Sequence, residues 1–219
     1  ADGSVTAWGG SYYGGSGAPT DTGYTALYST WRAAARAPAA GAPTDTGYIA
    51  IYSTERAFAA LQADGAVTAW GDTSDGGSGA AADSGCSAIY STVGGVAAAK
   101  ADRALTARGR SSYGGSGAPT DTGYTALYST CCAFAAVKAD GAVAAWGGSS
   151  YGGSGAPTDT GYTALYSTPY TFAALKADGA VTAWGRSSWG GSGAPTDTGY
   201  TAIYSTPGAF AAVKADGSV

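Results

Sequence analysis

The chain has 219 residues, with 11 Lys and Arg against 15 Asp and Glu, and a net charge of −4. That acidic balance argues against a nucleic-acid surface, which needs clustered cations, and no run approaches the ~18 apolar residues of a membrane span. Leu, Ile, Val and Phe total only 23, but 16 Tyr and 6 Trp with a small net charge point to an ordered core of Ala and aromatics rather than to disorder.

The chain opens on ADGSV, and ADGSV recurs at 215–219, so both ends fall at one phase of a repeat. Residues 1–9 read as the third strand of a unit and residues 200–214 as the first two. Two arrangements follow: ring closure, with the termini completing one unit, or addition from chain to chain in a longer array. With no Met at its start, the chain reads as processed or partial. Between Tyr24 and Tyr48 the spacing is 24 residues, 14 short of the 38-residue period seen elsewhere. The shortfall lies in WRAAARAPAA at 31–40. Either this unit lacks its Asp-Gly turn and Trp strand, or 14 residues are absent from the sequence as written. The second case predicts a Cα–Cα step near 37–41 far beyond the ~3.8 Å of a trans peptide. With that stretch restored, residues 1–214 make six units.

A clean unit runs from Ala139 to Lys176, and residues 111–130 and 149–168 are identical. Asp64, Asp102, Asp140, Asp178 and Asp216 recur every 38 residues, as do Trp70, Arg108, Trp146 and Trp184, where Arg108 replaces an expected Trp. Within each unit YTALYST alternates and is rich in β-formers, so it reads as a strand. FAALKADGAVTAWG reads as a hairpin, with the Asp-Gly step suggesting a type I′ turn. GSSYGGSGAPTDTG is a loop by composition. The chain is therefore expected to be one all-β repeat domain over 1–219, each unit carrying three short strands. Such a unit cannot cover both faces of its own sheet, so neighbours stack on it, radially as a β-propeller or linearly as an open solenoid or array.

The segment FAALKADGAVTAWGRSSWGGSG at 172–193 resembles the regulator of chromosome condensation repeat: apolar strand, Asp-Gly turn, Trp-Gly and trailing Gly-Gly-x-Gly. The 38-residue unit is similar in length to the blades of β-lactamase inhibitor protein II-type propellers. The resemblance spans the chain apart from residues 31–40 and implies a propeller of mostly three-stranded blades. It departs from the family at its frequent strand His, since this chain has no His.

Chemistry is sparse. Without His there is no Ser-His-Asp or Cys-His arrangement, and Glu55 is the single Glu among 15 acidic residues. The Asp residues fall largely into two repeating classes, the Asp-Gly turns and the PTDTG loops with Asp21, Asp45, Asp121, Asp159 and Asp197, joined by Asp83 in AADSG. Equivalent carboxylates in equivalent settings suit turn formation and capping rather than acid–base catalysis. One Asp per loop falls short of the ~6–8 oxygens that calcium takes. GGSG lacks the Lys and helix of a phosphate loop. No cofactor or metal is therefore expected, and no enzyme. Cys86, Cys131 and Cys132 show neither metal spacing nor a disulfide framework and read as variable positions.

The candidate binding residues are the loop aromatics Tyr13, Tyr113, Tyr151 and Trp189, which share one phase, with Asp75 as the odd copy. They either present contact area to a protein or glycan partner or fold back over the gaps between units. The strand series Tyr28, Tyr52, Tyr90, Tyr128, Tyr166 and Tyr204 is assigned to packing between units. Two functions fit: a non-catalytic structural repeat protein, extracellular and self-associating into fibres, or a propeller module that binds a protein or glycan. Thr20 and Ser154 are candidate O-glycan acceptors, which mass spectrometry of native material tests. There is no Asn for N-glycosylation.

Overall fold

In the computed structural model, residues 48–77 and 84–219 are described. Tyr13, Thr20, Asp21, Tyr28, Asp45, Asp83, the 31–40 tract and the step expected near 37–41 lie outside the described residues.

Among these residues, 14 strands form five antiparallel sheets. The first holds β1 (Tyr48–Ser53), β2 (Ala57–Gln62) and β3 (Val67–Gly71), and the second β4 (Cys86–Ser91), β5 (Gly95–Lys100) and β6 (Leu105–Gly109). The third holds β7 (Tyr124–Ser129), β8 (Ala133–Lys138) and β9 (Val143–Gly147), and the fourth β10 (Tyr162–Ser167), β11 (Thr171–Lys176) and β12 (Val181–Gly185). β13 (Tyr200–Ser205) and β14 (Phe210–Lys214) pair alone. Each sheet is a meander in sequence order, as the strand–hairpin–loop reading expects. The first strands of successive sheets lie against one another in chain order. The protein is all-β and of the propeller type.

Burial explains the composition. In the central strand β8, Ala133, Phe134, Ala135 and Ala136 are all fully buried, and Phe172, Ala173 and Ala174 repeat this in β11. A middle strand covered on both faces by neighbouring sheets loses water on every side chain, and Ala lets those sheets approach closely. The larger volume comes from cross-strand aromatic pairs. Phe134 stacks on Trp146 and Phe172 on Trp184, each at 5.4 Å between centroids, as directly opposed residues in the ladder. Burying one such Phe contributes about 1.5–3 kcal/mol. The Trp also ties sheets together: the Trp146 indole N–H donates to Gly114 C=O at 3.0 Å, and that of Trp184 to Gly152 C=O at 3.0 Å. In the second sheet Val96 faces Arg108 on the equivalent rung, so both members of the aromatic pair are replaced together.

The strand tyrosines pack across the seams. Tyr90 joins the cluster of Tyr124, Leu127 and Phe134, and Tyr166 that of Ile203 and Phe210. Tyr204 is 65% exposed, because no described sheet follows β13 and β14.

The Asp-Gly hairpins differ from the type I′ expectation. Gly65 N–H donates to Gln62 C=O at 3.0 Å and Gln62 N–H to Ala66 C=O at 2.8 Å, which makes a three-residue loop. Gly65 sits at φ +84°, while Asp64 does not have positive φ. This is a tight turn followed by a left-handed residue, the usual three-residue hairpin geometry. The Asp supplies a second closure: Asp64 Oδ1 accepts from Ala66 N–H at 2.9 Å, and Asp102, Asp140, Asp178 and Asp216 do the same two residues on, at 2.9 to 3.0 Å. Arg103 takes the Gly position at φ +66°.

The paired glycines of each unit are a packing device. Gly153 runs so close to the third-strand end that a Cβ there would lie 2.4 Å from the carbonyl carbon of Gly147. Trp-Gly and the later Gly-Gly are thus two halves of one backbone contact.

Candidate interaction face

Each sheet has two ends with different chemistry. At one end lie the Asp-Gly turns and PTDTG loops, which repeat closely apart from Arg103 in the second sheet's turn. Tyr124 OH donates to Asp121 Oδ1 at 2.8 Å, and Lys138 Nζ pairs with Asp121 Oδ2. Asp159 with Tyr162 and Lys176, and Asp197 with Tyr200 and Lys214, repeat the arrangement. Each ammonium also stands 4.9 to 5.0 Å from the neighbouring tyrosine centroid. Hydrogen bonds from the Lys, then from the Tyr, hold these carboxyls below their ordinary pKa. Burial first, and then the bond to Asp121, pushes the Tyr124 phenol up. Both oxygens of each carboxylate are engaged. The carboxylates are more than half exposed, so each pair stabilises only weakly. Among the described residues no cluster of three or more His, Cys, Asp or Glu is arranged to hold a metal ion.

At the other end the tips of the first hairpins come together. Glu55 N–H donates to Val93 C=O at 2.7 Å, Val93 N–H to Cys131 C=O at 2.8 Å, and Cys131 N–H to Pro169 C=O at 2.8 Å. This ladder joins one tip to the next at the repeat period. Pro169 has no N–H, so it cannot extend the ladder toward Pro207. The tips border a cavity of about 260 Å3, lined in part by Thr54, Glu55, Val93, Thr130 and Cys131.

A buried threonine fixes each of the first four tips to the following loop. Thr130 Oγ1 accepts from Ala133 N–H at 3.0 Å and donates to Tyr151 C=O at 3.0 Å. Thr54 does the same with Ala57 and Asp75, and Thr92 with Gly95 and Tyr113. In the fourth sheet Thr168 bonds the Thr171 hydroxyl at 2.6 Å, and Thr171 passes the contact to Trp189 C=O at 2.9 Å. The latch carbonyl belongs to the residue at the aromatic phase, which lies in a single 3-10 turn: Thr73–Asp75, Ser111–Tyr113, Ser149–Tyr151 or Ser187–Trp189. The loop's position is thereby set by a hydroxyl on the strand.

The loop aromatics accordingly lie half-buried against the tips. Tyr170, at one tip, is flanked by Tyr151 at 5.7 Å and by Trp189 edge-on at 4.6 Å. Arg186 stands 5.7 Å from the Tyr170 centroid and Arg110 5.7 Å from that of Tyr113. Tyr113 packs at Gly94, where an added Cβ would come 3.4 Å from the ring. The structure places Tyr113, Tyr151 and Trp189 at the same end as the tips.

Asp75 takes the aromatic phase in the first sheet and changes its chemistry. Its side chain is 1% exposed. Arg110 Nε lies 2.7 Å from Oδ1, in an ion-pair contact too misaligned for a hydrogen bond, and Arg110 Nη2 donates to Oδ2 at 3.4 Å. Arg56 Nε is 3.8 Å away. Burial raises the Asp75 carboxyl above its ordinary pKa, opposed by the charges of Arg110 and Arg56. Arg56 comes from a tip of the first sheet and Arg110 follows the second, so this seam is ionic where others are aromatic.

The tip pairs read Glu55-Arg56, Val93-Gly94, Cys131-Cys132, Pro169-Tyr170 and Pro207-Gly208. No two of these pairs are alike, although the strands and loops around them repeat closely. Sequence reading noted the variability but had no means of seeing that the variable pairs are neighbours. The repeated Thr of YST is the sequence signal for the latch.

The arrangement defines a propeller-type repeat scaffold. No protein-family model matches the chain, and no curated protein sequence matches it. Among solved structures, it is similar to the ectodomain of the receptor kinase CR4 from Physcomitrella patens, with TM-score 0.53 and 19% identity over 77% of this chain and 48% of that one. The CRINKLY WD40 ectodomain of the Arabidopsis thaliana receptor kinase ACR4 matches with TM-score 0.47 and 18% identity over 63% and 50%. Prp20p from Saccharomyces cerevisiae, described with its binding to Gsp1p and histones, matches with TM-score 0.46 and 12% identity over 63% and 45%. The chain thus spans about half the length of each. At these identities the likeness concerns the fold.

Proposed function

We propose that this chain is a non-catalytic scaffold that binds a partner protein through the end formed by its hairpin tips. The observation that carries the reading is the concentration of unit-to-unit differences at tips that the backbone ladder holds side by side. Specific recognition needs a patch unlike its surroundings, and uniform material needs none. The tips offer a carboxylate, a guanidinium, thiols, a tyrosine and prolines, with Glu55, Val93 and Cys131 lining one cavity. At the opposite end the last three sheets repeat one Asp–Tyr–Lys arrangement, and the first two depart from it only at Gln62, Cys86 and Arg103. The likeness to a receptor ectodomain is in keeping with an extracellular setting.

The test compares partner capture by three forms of the chain in material from its source. They are the wild type, a variant with every described tip rewritten as Pro-Tyr, and a variant carrying D121N, D159N and D197N. A protein held by the first and third but lost from the second supports the reading. Capture that survives the tip changes and is lost with the Asp changes overturns it.

A further inference from the structure

We propose that Cys131 and Cys132 form a reversible dithiol–disulfide site at the tip end, taking its oxidising equivalents from a small-molecule disulfide. The two Sγ atoms lie 2.7 Å apart, closer than two sulfurs pack without bonding or sharing a proton. Both thiols are free, with Cys131 half-exposed at the cavity and Cys132 buried. The backbone around them is held on every side. Cys131 N–H donates to Pro169 C=O and its C=O accepts from Val93, while Cys132 C=O accepts from Gly148 N–H at 2.9 Å. Cys132 N–H also reaches Thr130 Oγ1 at 3.4 Å. The main chain of the pair is therefore fixed, and the two sulfurs separate only by side-chain rotation.

Exposure assigns the two roles. The Cys131 thiolate, open to the cavity, attacks one sulfur of the small disulfide RSSR, forming Cys131–S–S–R and releasing RS⁻. The released thiolate takes the Cys132 proton and leaves as RSH. Cys132 sulfur then attacks Cys131 Sγ, forming the intrachain S–S bond and releasing the second R group as thiolate, which takes up the proton Cys131 gave up on ionising. The sum is one dithiol and one RSSR giving one protein disulfide and two RSH. Thiolate character on Cys131 favours this order: the Cys132 thiol hydrogen-bonds to it and lowers its pKa, and donating that bond raises Cys132. Nucleophilic attack in such exchange needs the thiolate.

Adjacency also sets the product's character. Neighbouring Cα atoms across a trans peptide are about 3.8 Å apart, below the roughly 4.4–6.8 Å of ordinary disulfides. A bond made there is labile and reversible rather than a structural staple. Because Cys131 carries two rungs of the ladder, closing and opening the bond alters the tip between the second and fourth sheets. Under the binding reading above it adjusts the recognition surface, but the site itself does not depend on that reading.

The experiment uses the native chain, first reduced and then incubated with oxidised glutathione, alkylated and cut with trypsin. Cleavage after Arg110 and Lys138 places both cysteines on one peptide, and cleavage after Arg56 and Lys100 places Cys86 on another. Expected is a 111–138 peptide that has lost two hydrogens, carries no alkyl group, and regains both thiols on mild reduction. The Cys86 peptide should be alkylated once. C132S should stop with glutathione on Cys131, with the circular dichroism of the wild type confirming its fold. The proposal is overturned if the wild-type peptide keeps two alkylatable thiols or retains glutathione. A link from either cysteine to Cys86 or to a second chain also overturns it.

Discussion

The threonine latch makes a quantitative prediction. In T130V the side chain keeps its shape and loses its hydroxyl. Ala133, fully buried, then has an N–H without its hydroxyl acceptor, and the Tyr151 carbonyl loses its donor. A buried unsatisfied group costs about 1–3 kcal/mol, and the lost bond to the half-buried carbonyl about 0.5–1.5 kcal/mol. The expected loss is about 2–4 kcal/mol by those figures. For a chain of this length 1 kcal/mol moves Tm by roughly 2–4 °C, so a loss of about 3 kcal/mol lowers Tm by about 6–12 °C. T130S keeps the hydroxyl and removes one methyl, for about 1 kcal/mol. Urea unfolding followed by tryptophan fluorescence and by circular dichroism measures both variants. T130V as stable as T130S, or more so, refutes the latch.

Further predictions use the repeats as internal controls. G153A brings a Cβ within 2.4 Å of the Gly147 backbone, whereas a Cβ on Gly161 meets nothing within 4 Å. Gly161 sits at φ +91°, so G161A bears a left-handed cost of about 1–2 kcal/mol; G153A should lose more than G161A through overpacking against backbone, and a loss in urea no larger than that of G161A contradicts the backbone contact. On the second-sheet rung, V96F with R108W should be more stable than the two single changes imply, by about 0.5–1.5 kcal/mol, when the cycle is measured by urea unfolding. The ionic seam predicts a pH signature. With its folded pKa raised above the ordinary 3.8, Asp75 binds more protons folded than unfolded, so stability falls as pH rises from 3.8 through that raised value. D75N should flatten that slope in unfolding midpoints measured across pH, and an unchanged slope contradicts the assignment. The surface carboxylates act below it: their lowered pKa stabilises the fold above 3.8, and this is lost as pH falls through the folded values.

Much of the architecture was legible because repetition turns weak local signals into a pattern. Alternation in YTALYST, the Asp-Gly step and the Gly-rich loop each place an element, and their order gives the meander. The type of turn was not legible, since Asp-Gly serves both two-residue and three-residue hairpins. The choice rests on whether Ala63 joins the loop, which the ladder partner of Gln62 decides. Glycine content read as turn chemistry, yet Gly153 is required by a neighbouring backbone, a contact that periodicity alone does not reveal. The candidate site was legible only in pieces. Tyr113, Tyr151 and Trp189 stood out as a phase, but their carbonyls are what the latch holds. Cys131 and Cys132 looked like drift, because linear sequence does not say that the tips of successive sheets touch. Asp75 appeared as an odd aromatic position, and its partners Arg56 and Arg110 come from different sheets.

Hydrogen–deuterium exchange on the chain with and without its captured partner measures the binding face directly. Protection gained at the tips around Thr54–Arg56, Thr92–Gly94, Thr130–Cys132 and Thr168–Tyr170, with the Asp140 and Asp178 turns unchanged, is the predicted result. Protection confined to the Asp-Gly turns and PTDTG loops, with the tips unchanged, contradicts it.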